Sequence, residues 1–311
     1  MVTIFLRTSM WTFRLEPLRG RKLPDEPNQR TASTRWLMSD AFDLFCNLRG
    51  IGWSWSDSLR IPQETRDVTS TPSFLFSTFV WFLRDVIAFD FCHYIVQWFS
   101  PNTIGSPQGG TIYDPSFQPL PRYVRSTVIS FFGGWAVYTS INAMYNFGTL
   151  IGILVFRQAP TQWPPISDQP WRATSLNQFW AIRWHQLFRD IFIACGSTPV
   201  AYVAGRVGGV VGAFLLSGLL HDMGCWGMGR GTDFKSISGF FFMNAVGVIL
   251  EHVYKSITGK RVGGFAGWVW TCVWLVGWGG MLVDAWMSRG VGGSVFFPSG
   301  WRPAFFVLGP F

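Results

Sequence analysis

Apolar positions along this chain come in long runs, and each run ends at a cluster of Pro, Gly, Ser or Arg. Pro72 to Phe99 is aromatic and apolar but carries Arg84, Asp85, Asp90 and His93, which predicts a helix with one polar face whose aspartates can pair with arginines of a bundle. Ser100 to Arg122 is rich in Pro, Gly, Ser and Asn and reads as a loop. Val124 to Phe156 is long enough for one tilted span and part of another, with Gly133, Gly134, Gly148 and Gly152 permitting close helix contact. The prolines of W-P-P, Trp163 to Pro165, forbid a continuous helix through the polar stretch that follows. After Asp190 a helix is expected to break at Gly196 and Pro199, before a second carries Val200 to Leu220 toward His221. Arg206 interrupts that run and is expected to face protein or an interface. Ser238 to Tyr254 and Phe265 to Trp286 supply two more spans, separated by the basic loop Lys255 to Arg261. The fold class is therefore all-α: a polytopic helical membrane protein with about 5–7 membrane-associated helices and an embedded polar cavity.

Ser175 to Asp190, S-L-N-Q-F-W-A-I-R-W-H-Q-L-F-R-D, stands apart from these runs. Ser175 followed by Gln178 has the form of a capping box, so a helix is expected to begin near Leu176. Trp180, Trp184, Leu187, Phe188 and Ile191 then follow one helical stripe while Arg183, Gln186 and Asp190 fall on another side, which predicts an amphipathic helix. His185 stands at the edge of the apolar stripe, and 36 positions later His221 ends a long apolar run in S-G-L-L-H-D. Each histidine alone is commonly a packing or capping imidazole. Ionisable groups inside membrane helices are costly, however, and two of only four histidines at such positions form a functional hypothesis.

Composition supports the membrane reading: 49% of the residues are hydrophobic and 14% charged, with 18 Trp and 30 Phe. Short polar loops between the runs argue for one helical domain, residues 36–311. Ahead of it, residues 1–35 carry Arg7, Arg14, Arg19, Arg21, Lys22 and Arg30 among prolines and read as a basic, flexible arm. A net charge of +8 would point to nucleic acid in a soluble chain. Here the arginines lie between apolar spans, suited to anionic headgroups or an anionic cofactor, and no nucleic-acid recognition module accompanies them. The five cysteines have no C-x-x-C pair and no histidine at ligand spacing, so they read as packing residues, with neither disulfides nor metal expected. G-C-W-G-M-G-R-G after His221 reads as a helix end and matches no phosphate loop.

F-W-A-I-R-W-H-Q at Phe179 to Gln186 followed by S-G-L-L-H-D at Ser217 to Asp222 resembles the wax synthase-like branch of the membrane-bound O-acyltransferases. R-G-I-G-W at Arg49 to Trp53, W-P-P, and P-W-R-A-T-S-L at Pro170 to Leu176 extend the resemblance in the same order. The His-Gln pair at His185 and Gln186 is similar to fungal members, many of which acetylate terpenoid-type natural products; plant wax-ester synthases tend to carry Asn at the first position. Family members usually have hydrophobic helices ahead of the R-G-I-G-W segment, so a shortened N-terminus, or a lineage that dispenses with those helices, is expected.

The resemblance implies an acyl-CoA-dependent O-acyltransferase of the endoplasmic reticulum, with acetyl-CoA or another acyl-CoA as co-substrate and a terpenoid or meroterpenoid alcohol as acceptor. Long-chain wax-ester synthesis is the alternative, and a lipid or metabolite transporter or an inactive acyltransferase are the non-catalytic ones. An alcohol attacking a thioester must lose its proton, and neutral imidazole is suited to take it. His221 is the candidate base, and His185 would orient the alcohol or donate toward the thioester carbonyl as charge develops. Trp180, Trp184 and Gln186 are candidates for substrate binding, and Arg183 and Arg189 for the phosphates of the co-substrate, with interfacial anchoring as the other role of those arginines. Asp222, adjacent to His221 on a helix, would face elsewhere, and Ser217 lacks the G-x-S-x-G elbow of a nucleophile. His93 has no matched motif and reads as a packing or interfacial residue.

Overall fold

The computed structural model describes residues 2–12, 18, 34–56 and 59–311, and the regular elements among them are helical. Val2–Thr12, at the head of the basic arm, is helix α1. Its Arg7 is buried, donates to the Asn47 carbonyl at 2.7 Å and lies over the rings of Trp11 and Trp55. Arg14, Arg19, Arg21, Lys22 and Arg30 lie outside the described residues. Thr34–Cys46 forms α2. The R-G-I-G-W turn follows, with Gly50 at φ 66°; a Cβ there would meet the Trp55 ring at 2.3 Å, so only glycine fits.

Helix α3, Thr71–Trp98, begins where expected, with the Ser70 hydroxyl capping Ser73 and Pro72 in the first turn. Its charged residues are used inside the bundle. Asp85 pairs with Arg84 and accepts from Asn146, while Asp90 pairs with Arg302 at 2.7 Å and accepts the Ala304 amide. Helix α4, Pro119–Leu154, is one continuous helix of 36 residues, about 54 Å long at 1.5 Å per residue, rather than a span and part of another. Among its glycines, two make the close contacts expected of small residues: Gly152 lies under the Trp163 ring and Gly133 against Val283.

The amphipathic helix expected from Ser175 to Asp190 is much shorter. The start is as read, since the Ser175 hydroxyl accepts the Gln178 amide at 2.9 Å and opens α5, Leu176–Gln178. The Gln178 side chain, however, accepts from the Thr174 amide instead of closing the box on Ser175. A π-helical turn, Phe179–Arg183, follows and the chain leaves helical geometry at Trp184. Gln186 ends it by donating its side-chain amide to the Ala181 carbonyl at 2.7 Å, and Arg183 is tied to Asp168 through both backbone and carboxylate. Helix resumes at α6, Arg189–Ile191, and runs through a π turn, Phe192–Ser197, into α7, Thr198–Gly227.

Pro199 therefore lies in a helical first turn, and the interruption falls at Ala204 and Gly205, where Gly205 takes φ 64° and ψ −167°. The chain reverses there. A Cβ on Gly196 would meet the Gly212 carbonyl at 2.7 Å, and one on Gly209 would meet the Ser197 hydroxyl at 2.9 Å, contacts impossible in one straight helix. Residues 189–227 form a hairpin whose arms touch through glycines, with Tyr202, Val203 and Arg206 exposed around its tip. The first arm is roughly 22 Å long and the second roughly 33 Å, so the second alone matches a bilayer core.

Helix α8 is Phe234–Thr258, α9 is Gly264–Ser288, and a short α10, Pro303–Leu308, ends the described chain. Three stretches are long and apolar enough to cross a membrane by length and composition: 189–227, α8 and α9. The protein is a membrane protein in which α3 packs on α4, α4 on α9, α9 on α8 and α8 on α7. One apolar core joins Val96, Ile129, Val283 and Met287, and a second joins Cys225, Ile237, Phe241 and Leu282.

Candidate functional site

Two sequence segments far apart in the chain meet first. Pro164 and Pro165 carry no amide hydrogens and so donate no backbone bonds of their own. Two buried arginines hold the carbonyls of this loop. Arg49 of R-G-I-G-W donates to Pro164 at 2.6 Å, to Pro165 at 2.8 Å and to the Tyr145 hydroxyl, while Arg66 donates to the Trp163 carbonyl at 2.7 Å. The same loop then passes through Asp168, the partner of Arg183, to Ser175.

A carboxylate on α8 fixes the next turn. Glu251 is buried and accepts the Leu176 amide at 2.6 Å, the Asn177 amide at 3.0 Å and the Trp270 indole at 3.0 Å. It satisfies the orphan amides at the start of the segment that carries His185. Farther along α8, Asn244 is fully buried, donates to the Phe240 carbonyl and accepts the Trp180 indole at 3.0 Å. Neither residue was singled out from the sequence. The available signal was an ionisable or amide group within an otherwise apolar span.

His185 follows the break at Trp184 and lies tilted at 42° against that indole, its ring centroid 5.3 Å away. Its Nδ1 is buried with no hydrogen-bond partner among the described residues. His185 precedes the span that begins at Arg189; burial, with His221 and Arg49 adding repulsion, pushes its pKa down to about 3. That coupling places His221 and Arg49 in its electrostatic neighbourhood. His221, on the second arm of the hairpin, donates Nδ1–H to the Ser217 carbonyl at 2.7 Å and packs its ring 4.5 Å from Phe241. With Nδ1 committed as donor, the free nitrogen of the neutral ring is Nε2. The neighbouring Asp222 turns to the following loop, where it accepts the Asp233 amide.

His221 lines a cavity of about 420 Å³. The cavity is walled by α3, α4, α7 and α9, by Phe188 and Phe192, and by the segment from Val291 to Phe296. The lining is mainly apolar and aromatic, and its polar side chains are His93, Ser140 and His221. Of the other residues expected at the site, none lines this cavity. Trp180 packs among Phe214, Phe240 and Phe241. Trp184 and Gln186 share a small cleft with Arg49 and Arg60. Arg183 is held by Asp168, and Arg189 lies near Asp190 and Arg60. Phe188 and Phe192 bring the motif region to the cavity because the chain rotates at the break after Arg183, which a continuous helical stripe does not allow.

The family model described as "Membrane bound O-acyl transferase family" matches residues 163–243, from W-P-P through both histidines into α8. Over residues 163–243 the chain carries the sequence pattern of the membrane-bound O-acyltransferase family. The chain is 23% identical to acetyltransferase spyB of Aspergillus fumigatus over 273 residues, covering 75% of this chain and 45% of that protein. It is 27% identical to acetyltransferase aurG of Calcarisporium arbuscula over 173 residues, 50% of this chain and 40% of the relative. It is also 31% identical to a long-chain-alcohol O-fatty-acyltransferase of Simmondsia chinensis over 152 residues, 45% of this chain and 41% of the relative. The chain thus spans less than half the length of each of these O-acyltransferase relatives. No solved structure matches it.

Proposed function

We propose that this chain carries the reacting centre of an O-acyltransferase that moves an acetyl group from acetyl-CoA to a hydroxyl of a hydrophobic terpenoid or meroterpenoid, in the endoplasmic reticulum membrane. The observation that carries the reading is His221, an imidazole on the wall of a mainly apolar cavity, whose Nδ1–H is spent on the Ser217 carbonyl. That bond leaves Nε2 to accept a proton. The acceptor hydroxyl attacks the thioester carbonyl, its proton passes to His221 Nε2, the carbon–sulfur bond breaks, and the proton is returned to the departing thiolate of CoA. His185, in the electrostatic reach of His221, orients the alcohol or donates toward the carbonyl oxygen. The buried, unpaired Nδ1 of His185 fits a group whose partner arrives with substrate. The phosphates of CoA are assigned to Arg60 and nearby Arg189, since Arg49 is buried and spent on the W-P-P carbonyls. Arg183 is the weaker candidate, because Asp168 already holds it.

The acetyl part of the proposal draws on the names of fungal relatives, and the terpenoid part on the sequence resemblance and the bulky aromatic lining. The 31% identity to the Simmondsia enzyme supports fatty acyl transfer to a long-chain alcohol as the second reading. Purified protein in nanodiscs, given labelled acetyl-CoA and a panel of hydrophobic alcohols, should form radiolabelled ester. Palmitoyl-CoA and hexadecanol outcompeting the acetyl and terpenoid pair would replace the first reading by the second. Saturable alcohol uptake into proteoliposomes without any ester would remove both.

A further inference from the structure

His93 faces the same cavity as His221 but stands on a different helix, α3, and the reaction described above gives it no task. It is held firmly. Its Nε2 donates to the Gly292 carbonyl at 2.7 Å, and its ring is stacked 5.6 Å from Phe89 and edge-on, 5.4 Å, from Phe296. Gln97, one turn along, donates to the same carbonyl at 2.8 Å, and Arg302 links Gln97 to Asp90. This buried network fixes the wall segment carrying Gly292 and Phe296 to α3, and with it the orientation of the imidazole. With Nε2 committed as donor, the remaining nitrogen of the neutral ring, Nδ1, is an acceptor, and it has no partner among the described residues. Ser140, the other polar side chain of the wall besides His221, spends its hydroxyl hydrogen on the Val137 carbonyl.

Building on the acyl-transfer reading, we propose that His93 Nδ1 is a specificity-determining acceptor for a second hydrogen-bond donor on the substrate. The acceptor alcohol is then an apolar molecule with two hydroxyls, one presented to His221 and the other bound by His93. A purely apolar tail would cover Nδ1 without pairing it, and a site built to hydrogen-bond a group penalises the analogue that lacks it. This selects hydroxylated terpenoid-like diols over simple fatty alcohols.

The test pairs each of a series of α,ω-alkanediols with the mono-alcohol of the same chain length. Acyl transfer and equilibrium binding of the tritiated compounds in the absence of CoA are both measured. In the wild type, kcat/KM for the diol at the best-matched length should exceed that of its mono-alcohol by about tenfold, after halving for the two equivalent ends, mainly through KM. Two variants separate ligand binding from support of the fold. His93→Gln places an amide nitrogen where Nε2 lies, keeping the bond to Gly292 but offering no acceptor at the δ position. His93→Asn keeps a δ acceptor and cannot reach Gly292. The proposal requires that Asn retain the diol preference better than Gln, and a structural role for His93 gives the reverse order. Equal binding of diol and mono-alcohol at every length overturns the proposal. If no alcohol is acylated but diols bind preferentially through His93, the transferase reading fails while the assignment of His93 stands.

Discussion

Glu251→Gln separates charge from shape at the point where α8 holds the motif segment. Oε1 of Glu251 accepts from the Leu176 amide and the Trp270 indole, and Oε2 from the Asn177 amide. A glutamine oxygen placed on the first pair keeps both of those bonds. Its NH2 group then faces the Asn177 amide, donor against donor. One charge-assisted bond, typically about 1.5–3 kcal/mol, is lost and a buried amide is left unpaired, so roughly 2–4 kcal/mol is expected. At about 2–4 °C per kcal/mol for a chain of this size, the midpoint should fall by roughly 5–15 °C. The eight residues from Leu176 to Arg183 also lose an anchor just ahead of His185. Since a displacement of about 1 Å at a reacting centre can cost a hundredfold, acyl transfer should fall at least about tenfold well below the melting temperature. Thermal unfolding in detergent and single-turnover transfer at a temperature where both proteins are folded supply the two readouts. A glutamine variant that melts with the wild type and turns over equally would refute the role given to Glu251, while Glu251→Ala should be worse than Gln on both counts.

His221→Asn can keep a bond from its amide to the Ser217 carbonyl but has no group to accept a proton, so turnover should fall about 10²- to 10⁴-fold with little change in expression; near wild-type rates at matched protein level would end its assignment as base. His185→Asn should retain more transfer than His185→Ala if His185 orients by hydrogen bonding, and equal, complete loss in single-turnover assays would make its imidazole as necessary as that of His221. The His185 pKa, about 3 in the fold against 6.5 unfolded, also makes a stability prediction. Between these values the unfolded chain binds the proton and the folded chain does not, so stability is full above about pH 6.5 and declines as pH falls toward 3. Differential scanning fluorimetry from pH 7.5 down to 4.5 should show a smaller loss of midpoint in His185→Asn than in the wild type, and parallel curves would contradict that burial.

The apolar runs located α3, α8 and α9 to within a few residues because hydropathy and the Pro and Gly signals at their ends act over one or two turns of chain. The Ser175 cap was readable for the same reason, as were the two histidine motifs with their order. The end of the following helix was not. Arg183 and Gln186 continue the amphipathic pattern, and the helix stops because Gln186 folds back on the Ala181 and Ile182 carbonyls while Asp168 holds Arg183. The hairpin likewise read as a break at Pro199, which a helix accepts in its first turn; the reversal comes at Gly205, where glycines on both arms let backbones touch. Glu251 was not singled out and His93 read as a packing or interfacial residue, since their partners lie 75 and 199 positions away. Sequence by itself determined a helical membrane protein with an acyltransferase motif pair, because hydropathy and capping are local. Which polar side chains share one cavity, and which are spent holding the backbone, was decided by tertiary structure, because a buried hydrogen bond depends on what the rest of the fold brings within about 3 Å.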